Sequence, residues 1–367
     1  MVRRRISKWL AGAGTTAMIL GLTGSAWAQQ PAQPNMDFTQ GSADAPPAEG
    51  PPSEALANAL RLYQQERYQE ASVQFQRVVE GETQDAPANQ QKAQFHLGKS
   101  LYHLGFYQSA LAVFDEIVER GPSHLYFNAT LQWLAQLASQ LPEPADIVRR
   151  VGRYPTTALQ QFNNNESRGL YNQLLYLMGR SKYRDGAYDE AIALFRQVQR
   201  QSPYYVQAKF FEGISHVNAR RSQPGVDAFN EVLHAIDEGV EGIEDEERMS
   251  DLAWLELARL YYSTRHYDSA VDSWNHVDVD SEYWLDALFE ESWAYFLQND
   301  YPRALGNIHT LNSPFFTNAW YPEAMVLKSV IFFSNCRYDE AEEVLAQFNE
   351  RYGELRPEIE RYLQQYQ

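Results

Sequence analysis

The chain has a single cysteine, Cys336, in 367 residues, so it can form no intrachain disulfide and offers no cysteine pair to zinc. It lacks the G-x-x-x-x-G-K-[ST] phosphate loop, H-E-x-x-H and G-x-S-x-G, so the sequence gives no signal for nucleotide hydrolysis, zinc proteolysis or serine-nucleophile chemistry. Positive charge is scarce as well. Lys and Arg number 31 against 48 Asp and Glu, a formal charge of −17, which speaks against nucleic acid or an anionic membrane surface as partner. Long apolar runs are missing beyond the amino terminus: the nearest, Ala324 to Phe333, is short and interrupted by Lys328. The eight histidines are scattered; His96 and His103, seven apart, have metal-site spacing but no carboxylate within a turn, so groove or surface histidines are expected. No catalytic residue, metal site or cofactor is expected, nor a transmembrane span in the mature chain.

What is present begins with residues 1–28, which have the layout of a secretory signal. Arg3, Arg4, Arg5 and Lys8 precede an apolar stretch from Trp9 to Leu22, and small residues surround Ala26-Trp27-Ala28 before Gln29. The paired arginines faintly resemble a twin-arginine signal, although Ser7 interrupts its apolar part. Cleavage would take the formal charge from −17 to −21, and the absence of a cysteine at the site excludes a lipid anchor there. The expectation is an exported, periplasmic protein, soluble after cleavage. In that compartment Cys336 reads either as a small half-buried residue or as half of an intermolecular disulfide. Residues 29–53, rich in proline, alanine and glycine, bury too little to order themselves and read as a disordered leader.

A pattern of period 34 to 45 residues then runs down the chain. Tyr107, Ala110 and Phe114 recur as Tyr188, Ala191 and Phe195 and as Tyr267, Ala270 and Trp274. Twelve residues before each anchor alanine stands a small residue, Gly98, Gly179 or Ala258, and Pro122 and Pro203 close two of the units. Weaker copies are anchored on Ala71, Gly225, Ala304 and Ala341. These positions resemble the tetratricopeptide repeat, whose pattern is W-x2-L-G-x2-Y, then A-x3-F, then P. The resemblance covers most of residues 54–350. It implies an all-α fold, a right-handed α-α superhelical solenoid of about eight helix pairs, in which small residues let two helices approach closely.

Departures from the pattern mark the boundaries. Anchors 110 and 191 stand 81 residues apart, room for one more unit; Leu125 to Ala138 reads as an amphipathic helix, but Pro142, Pro144, Pro155 and Asn163 to Asn165 do not fit. The expected organisation is therefore repeats over 54–140, a degenerate or hinge segment over 141–167, repeats over 168–356 and a capping helix over 357–367. The acidic run from Asp237 to Glu247 reads as a solvated loop or helix end, or as a docking loop or cation site. The stretch from Asn312 to Ala341 is similar to the end of exported repeat proteins of bacterial envelope machines, gliding-motility complexes among them.

Function follows from the face that the resemblance assigns to binding. In such repeats the first helix of each pair lines a concave groove that takes extended peptides or helices. Lys99, Arg180 and Arg259 stand eleven residues before their anchors, and Tyr102, Tyr183 and Tyr262 eight before; the Ala304 unit has Trp293 and Phe296 there. Spaced three apart, each pair shares one helix face. One reading is an aromatic groove with interspersed cations for peptide carboxylates and apolar anchors; the other is that the tyrosines only pack between units. Glu212 and Glu291 occupy a slot usually apolar and either turn out to water or form a polar seam. Glu290-Glu291-Ser292 contains the Glu-Ser pair of peptidoglycan-cleaving enzymes, but Ser292 falls in the small-residue slot and no separate domain surrounds it. The sequence thus suggests a noncatalytic exported scaffold or adaptor of a motility, secretion or outer-membrane assembly machine, with cell-envelope proteins or extended peptides as partners. A periplasmic peptide-capture holdase, or an accessory subunit of a peptidoglycan-processing enzyme, are the alternatives; oligomeric state is not readable.

Overall fold

Each helix pair is built around one turn. In a computed structural model, which describes residues 50–141, 145–240, 243, 245–316 and 319–365, seven pairs are joined by three residues whose middle one has positive φ: Glu66, Gly105, Gly186, Arg220, Arg265, Asn299 and Cys336. Each stands five residues before its anchor. The hydrogen bonds repeat as well. At the second turn Gly105 N–H donates to Tyr102 O at 2.9 Å and Phe106 N–H to Leu101 O at 2.9 Å, and all seven turns share this register. Two bonds reaching back three and five residues, with a left-handed residue between, make a Schellman cap. Glycine suits that conformation because it has no Cβ, yet only two of the seven turns use one. The signal segment 1–28, leader residues 29–49, Pro142, Pro144, Glu241 and Glu244 lie outside the described residues.

Seventeen α-helices are described, with no strand among the described residues, and they fall into two compact units, 1–181 and 182–367. The first holds α1 (Glu54–Gln64), α2 (Tyr68–Val79), α3 (Pro87–His103), α4 (Tyr107–Arg120), α5 (Phe127–Ala138), α6 (Ala145–Val151) and most of α7 (Arg168–Arg184). Its core runs from Leu56, Ala71 and Phe75 through Ala110 and Phe114 to Leu131 and Leu134. The irregular stretch is tied in: Arg150 donates twice to Asp115, at 2.6 and 2.7 Å, and the Tyr154 hydroxyl donates to Phe127 O at 2.9 Å under a stacked phenyl. A 3-10 segment, Thr156–Phe162, buries Leu159 and Phe162 before α7 begins.

The second unit continues with α8 (Tyr188–Phe195), α9 (Tyr205–Asn218), α10 (Ser222–Asp237), α11 (Glu246–Ser263), α12 (Tyr267–Trp274), α13 (Trp284–Leu297), α14 (Tyr301–Leu311), α15 (Pro322–Ser334), α16 (Tyr338–Tyr352) and α17 (Leu355–Gln365). In both units the anchors are sealed: Ala71, Ala110, Ala191, Ala270 and Ala304 have no exposed surface. Four residues on, Phe75, Phe114, Phe195, Phe229, Trp274 and Ile308 are at most 3% exposed. Close approach of the paired helices explains the small residue twelve before the anchor. A Cβ on Gly98 would stand 2.5 Å from the Phe114 ring, and one on Gly213 2.6 Å from the Phe229 ring. No such contact is tolerated without moving a close-packed phenyl.

The first-helix faces of the two units

A second aromatic register emerges at the same turns. Tyr63 meets Tyr68 with ring centroids 5.3 Å apart, Tyr102 meets Tyr107 at 5.4 Å, Tyr183 meets Tyr188 at 5.9 Å and Tyr262 meets Tyr267 at 5.7 Å. Phe296 meets Tyr301 at 6.1 Å in the same way. Each edge-on or tilted pair joins the end of a first helix to the start of the second helix of its own pair. The tyrosines eight before the anchors therefore act first as clasps within each pair. The signal was legible as an aromatic five residues after each of them, Tyr107, Tyr188, Tyr267 and Tyr301. The reading of the sequence used those residues only as markers of the second helix.

In the first unit, Lys99 is only 9% exposed. Its Nζ lies 4.9 Å from the Tyr63 ring centroid, 5.5 Å from that of Phe95 and 5.4 Å from that of Trp133. Three rings from three successive first helices thus enclose one ammonium, each presenting its electron-rich face. Tyr102 packs edge-on to Trp133 at 5.3 Å, and burial pushes its phenol up. His103, stacked on Tyr68 at 4.4 Å, is pulled down by burial and then by Lys99, so it is neutral at pH 7. His96 and His103 are parts of this aromatic cluster; no group of three or more His, Cys, Asp or Glu placed to hold a metal occurs among the described residues. Arg180, on α7, lies 5.7 Å over the Tyr176 ring.

In the second unit the corresponding cation meets carboxylates. Arg259 grips Glu290 on the next first helix through Nη2 at 2.7 Å and Nε at 2.9 Å, and reaches Glu256 through Nη1 at 2.7 Å. Trp274 Nε1–H also donates to Glu290, at 3.3 Å. Burial works to lower Arg259, but Glu290 and Glu256 outweigh it and hold the guanidinium charged. Burial pushes the Glu290 carboxyl up, with Arg259 pulling against it and Glu256 and Asp286 adding to the rise. Side chains keep 40% of Arg259 and 26% of Glu290 accessible, so the pair is presented rather than sealed. Asp286 accepts from the Tyr321 hydroxyl at 2.6 Å. Tyr183 binds Asn218 Nδ2 at 3.3 Å, and the buried Tyr262 hydroxyl has no hydrogen-bond partner among the described residues. Trp293 and Phe296, half-buried, pack edge to face at 6.1 Å. Two carboxylates thus hold one arginine, so the cluster is net acidic.

Glu212 and Glu291 form the polar seam. They are 4% and 5% exposed, and each is reached by a residue five past the preceding anchor: Arg196 Nε at 2.7 Å for Glu212, Asn275 Nδ2 at 3.1 Å for Glu291. Lys209 Nζ at 2.8 Å completes the first; Asn307 Nδ2 at 2.6 Å and the Tyr295 hydroxyl at 2.9 Å complete the second. Glu291 therefore faces helices, not a sugar cleft, and Ser292, fully buried, donates to Leu288 O at 2.7 Å. Cys336 is exposed, where a half-buried thiol was one expectation, because the left-handed turn holds it out from the pair.

This repetition of turn, anchor and phenyl coincides with the family comparison. A tetratricopeptide-repeat model matches residues 56–124 and 170–239. These two segments carry tetratricopeptide repeats, and the described residues are all-α, built of helix pairs of that kind in both units. The crystal structure of the apo form of RapI is similar in fold, with a TM-score of 0.50 at 10% identity over 82% of this chain and 86% of that one. The crystal structure of MamA (TM-score 0.41, 15% identity, 49% and 97% coverage) and a structure of Pseudomonas aeruginosa pilF (0.38, 16%, 60% and 90%) are similar to smaller parts of it. No curated protein matches the sequence. No helix among the described residues is long and apolar enough to cross a membrane.

Proposed function

We propose that the chain is a noncatalytic scaffold or adaptor that holds protein partners against its first-helix faces, in a cell-envelope machine such as one for motility, secretion or outer-membrane assembly. Repeats of this kind are generally protein-interaction scaffolds, which supports the coarse part of the reading. The envelope setting and export rest on the signal-like residues 1–28 and the envelope-type pattern of 312–341.

The observation that carries the reading is the Arg259–Glu290–Glu256 cluster. It is an ordered, partly accessible charge group on a face where other repeats place rings. Such a partly open pair adds little net stability, about 0–1 kcal/mol, although removing one member costs more because the other is left unpaired. The pair's main effect is to fix the orientation of a partner's polar groups. With Tyr183, Tyr262, Trp293 and Phe296 beside it, the second unit's face suits a segment that presents aromatic or aliphatic anchors and a cation. Tyr102 and Arg180 contribute to the corresponding face of the first unit, where Lys99 lies beneath its rings and holds them in place.

The test is a crosslinking pull-down from native cells with the full chain, read by mass spectrometry. A few stoichiometric proteins, lost when Trp293→Ala and Arg180→Glu are introduced in a chain of unchanged helicity, support the scaffold. A diffuse set of unrelated chains means a holdase instead.

A further inference from the structure

The repeat itself specifies what should lie on the second helix of each pair. The residue four past the anchor faces the next first helix: Phe114 stacks on Trp133 of α5 at 6.1 Å, Phe195 on Phe211 of α9 at 6.0 Å, and Trp274 donates to Glu290 of α13. On α16 that residue is Leu345, and it is 47% exposed where its six counterparts are sealed. On the partner first helix, α15, Phe333 is 63% exposed and Val326 41%. The α15/α16 pair therefore presents a seat shaped for one amphipathic helix.

The following helix has the right pattern and does not take that seat. Leu355, Ile359 and Leu363 stand four apart on α17 and form one stripe, yet no residue of α17 is buried; Ile359 and Leu363 are 56% and 55% exposed. The reason is the connection. Every other passage from a second helix to the next first helix within a described pair series spans several residues, such as 80–86 before α3 and 312–321 before α15. Between α16 and α17 stand only Gly353 and Glu354. Gly353 keeps helical φ and ψ of −60° and −34°, and its N–H still donates to Asn349 O at 2.8 Å. With so short a connection α17 is not folded back onto the seat, and Leu345, Ile359 and Leu363 all stay exposed.

We infer that this seat is filled by α17 of a second copy of this chain, the two copies exchanging their last helices. Seat and stripe are on one molecule but not packed on each other, joined by two residues only, so a two-fold pair satisfies both at once and closes without further growth. The exchange covers both apolar surfaces, which in isolation are an association liability.

The test uses the full chain with Cys336→Ser, Leu345→Cys and Ile359→Cys, oxidised and run on a denaturing gel, beside light-scattering mass measurement of the parent chain. The inference expects twice the chain mass in solution, a covalent dimer on the gel, and return to single mass in Leu363→Glu with helicity kept. An internal crosslink that leaves the gel band at single mass, or a parent chain of single mass at every concentration, overturns it.

Discussion

Lys99 in the first unit and Arg259 in the second stand eleven residues before an anchor alanine, on first helices, three residues before a clasping tyrosine. One is sealed beneath three rings; the other is gripped by two carboxylates and left partly open. The repeat therefore fixes where a side chain stands but not what it meets. What it meets is decided by the neighbouring first helix, which offers Trp133 in one unit and Glu290 in the other. A slot rule transfers geometry between repeats; chemistry has to be read pair by pair.

The comparison can be broken from its packing side first. Phe114→Ala should cost about 3–5 kcal/mol, because it empties a fully buried slot, whereas Leu345→Ala should cost under about 1 kcal/mol in a chain held at single-copy dilution. Chemical denaturation of the two variants measures the difference, and equal losses would mean that the last pair is as sealed as the others.

The cation side comes next. Arg259→Met leaves Glu290 without its main partner and should destabilise the second unit by about 1–3 kcal/mol at pH 7. Lys99→Met keeps the stem among the rings and should change stability by about 1 kcal/mol or less, losing cation–π attraction while relieving a buried charge. The Arg259→Met loss should shrink as pH falls and Glu290 takes a proton. A loss independent of pH between 7 and 4 would remove the ion pair from the explanation.

A titratable group of the first unit gives a third handle. His124 is 2% exposed, its Nδ1 accepts from Tyr126 N–H at 3.1 Å, and burial followed by Arg120 pulls its pKa down to about 4. Well above pH 6.5 it is neutral folded or unfolded and contributes no pH dependence. As pH falls from 6.5 toward 4 the unfolded chain takes up the proton first, so stability should drop by up to about 3 kcal/mol over that window. His124→Asn, which keeps an acceptor, should flatten that part of the stability profile.

The smallest effects lie at the turns. Arg220→Gly and Arg265→Gly, at φ of 59° and 66°, should each stabilise by up to about 1 kcal/mol, with Gly105 and Gly186 as the internal standard. Thermal melts of the double variant test whether the seven turns are equivalent across the two units.

How far the sequence could be read follows from the same contrast. Ala110, Ala191 and Ala270, with their small residues twelve before and rings four after, announce the helix pairs because each such position has one steric solution. The clasp between Tyr102 and Tyr107 was visible as a five-residue spacing and is local, so it too was legible. The partners of Arg259 were not: Glu290 lies 31 residues on, and only the packing of two first helices brings it within 2.7 Å. The same holds for Glu212 and Glu291, whose seam depends on Arg196 and Asn275 across a repeat boundary.

The central claim, that partners bind the first-helix face, is tested most directly by site-specific photocrosslinking in native cells. A photoreactive residue is placed at Trp293 on α13 or at the exposed Asp272 on α12. The account predicts one or a few discrete protein adducts from position 293 and none from position 272. No adduct at 293, or the same adducts from both positions, would contradict it.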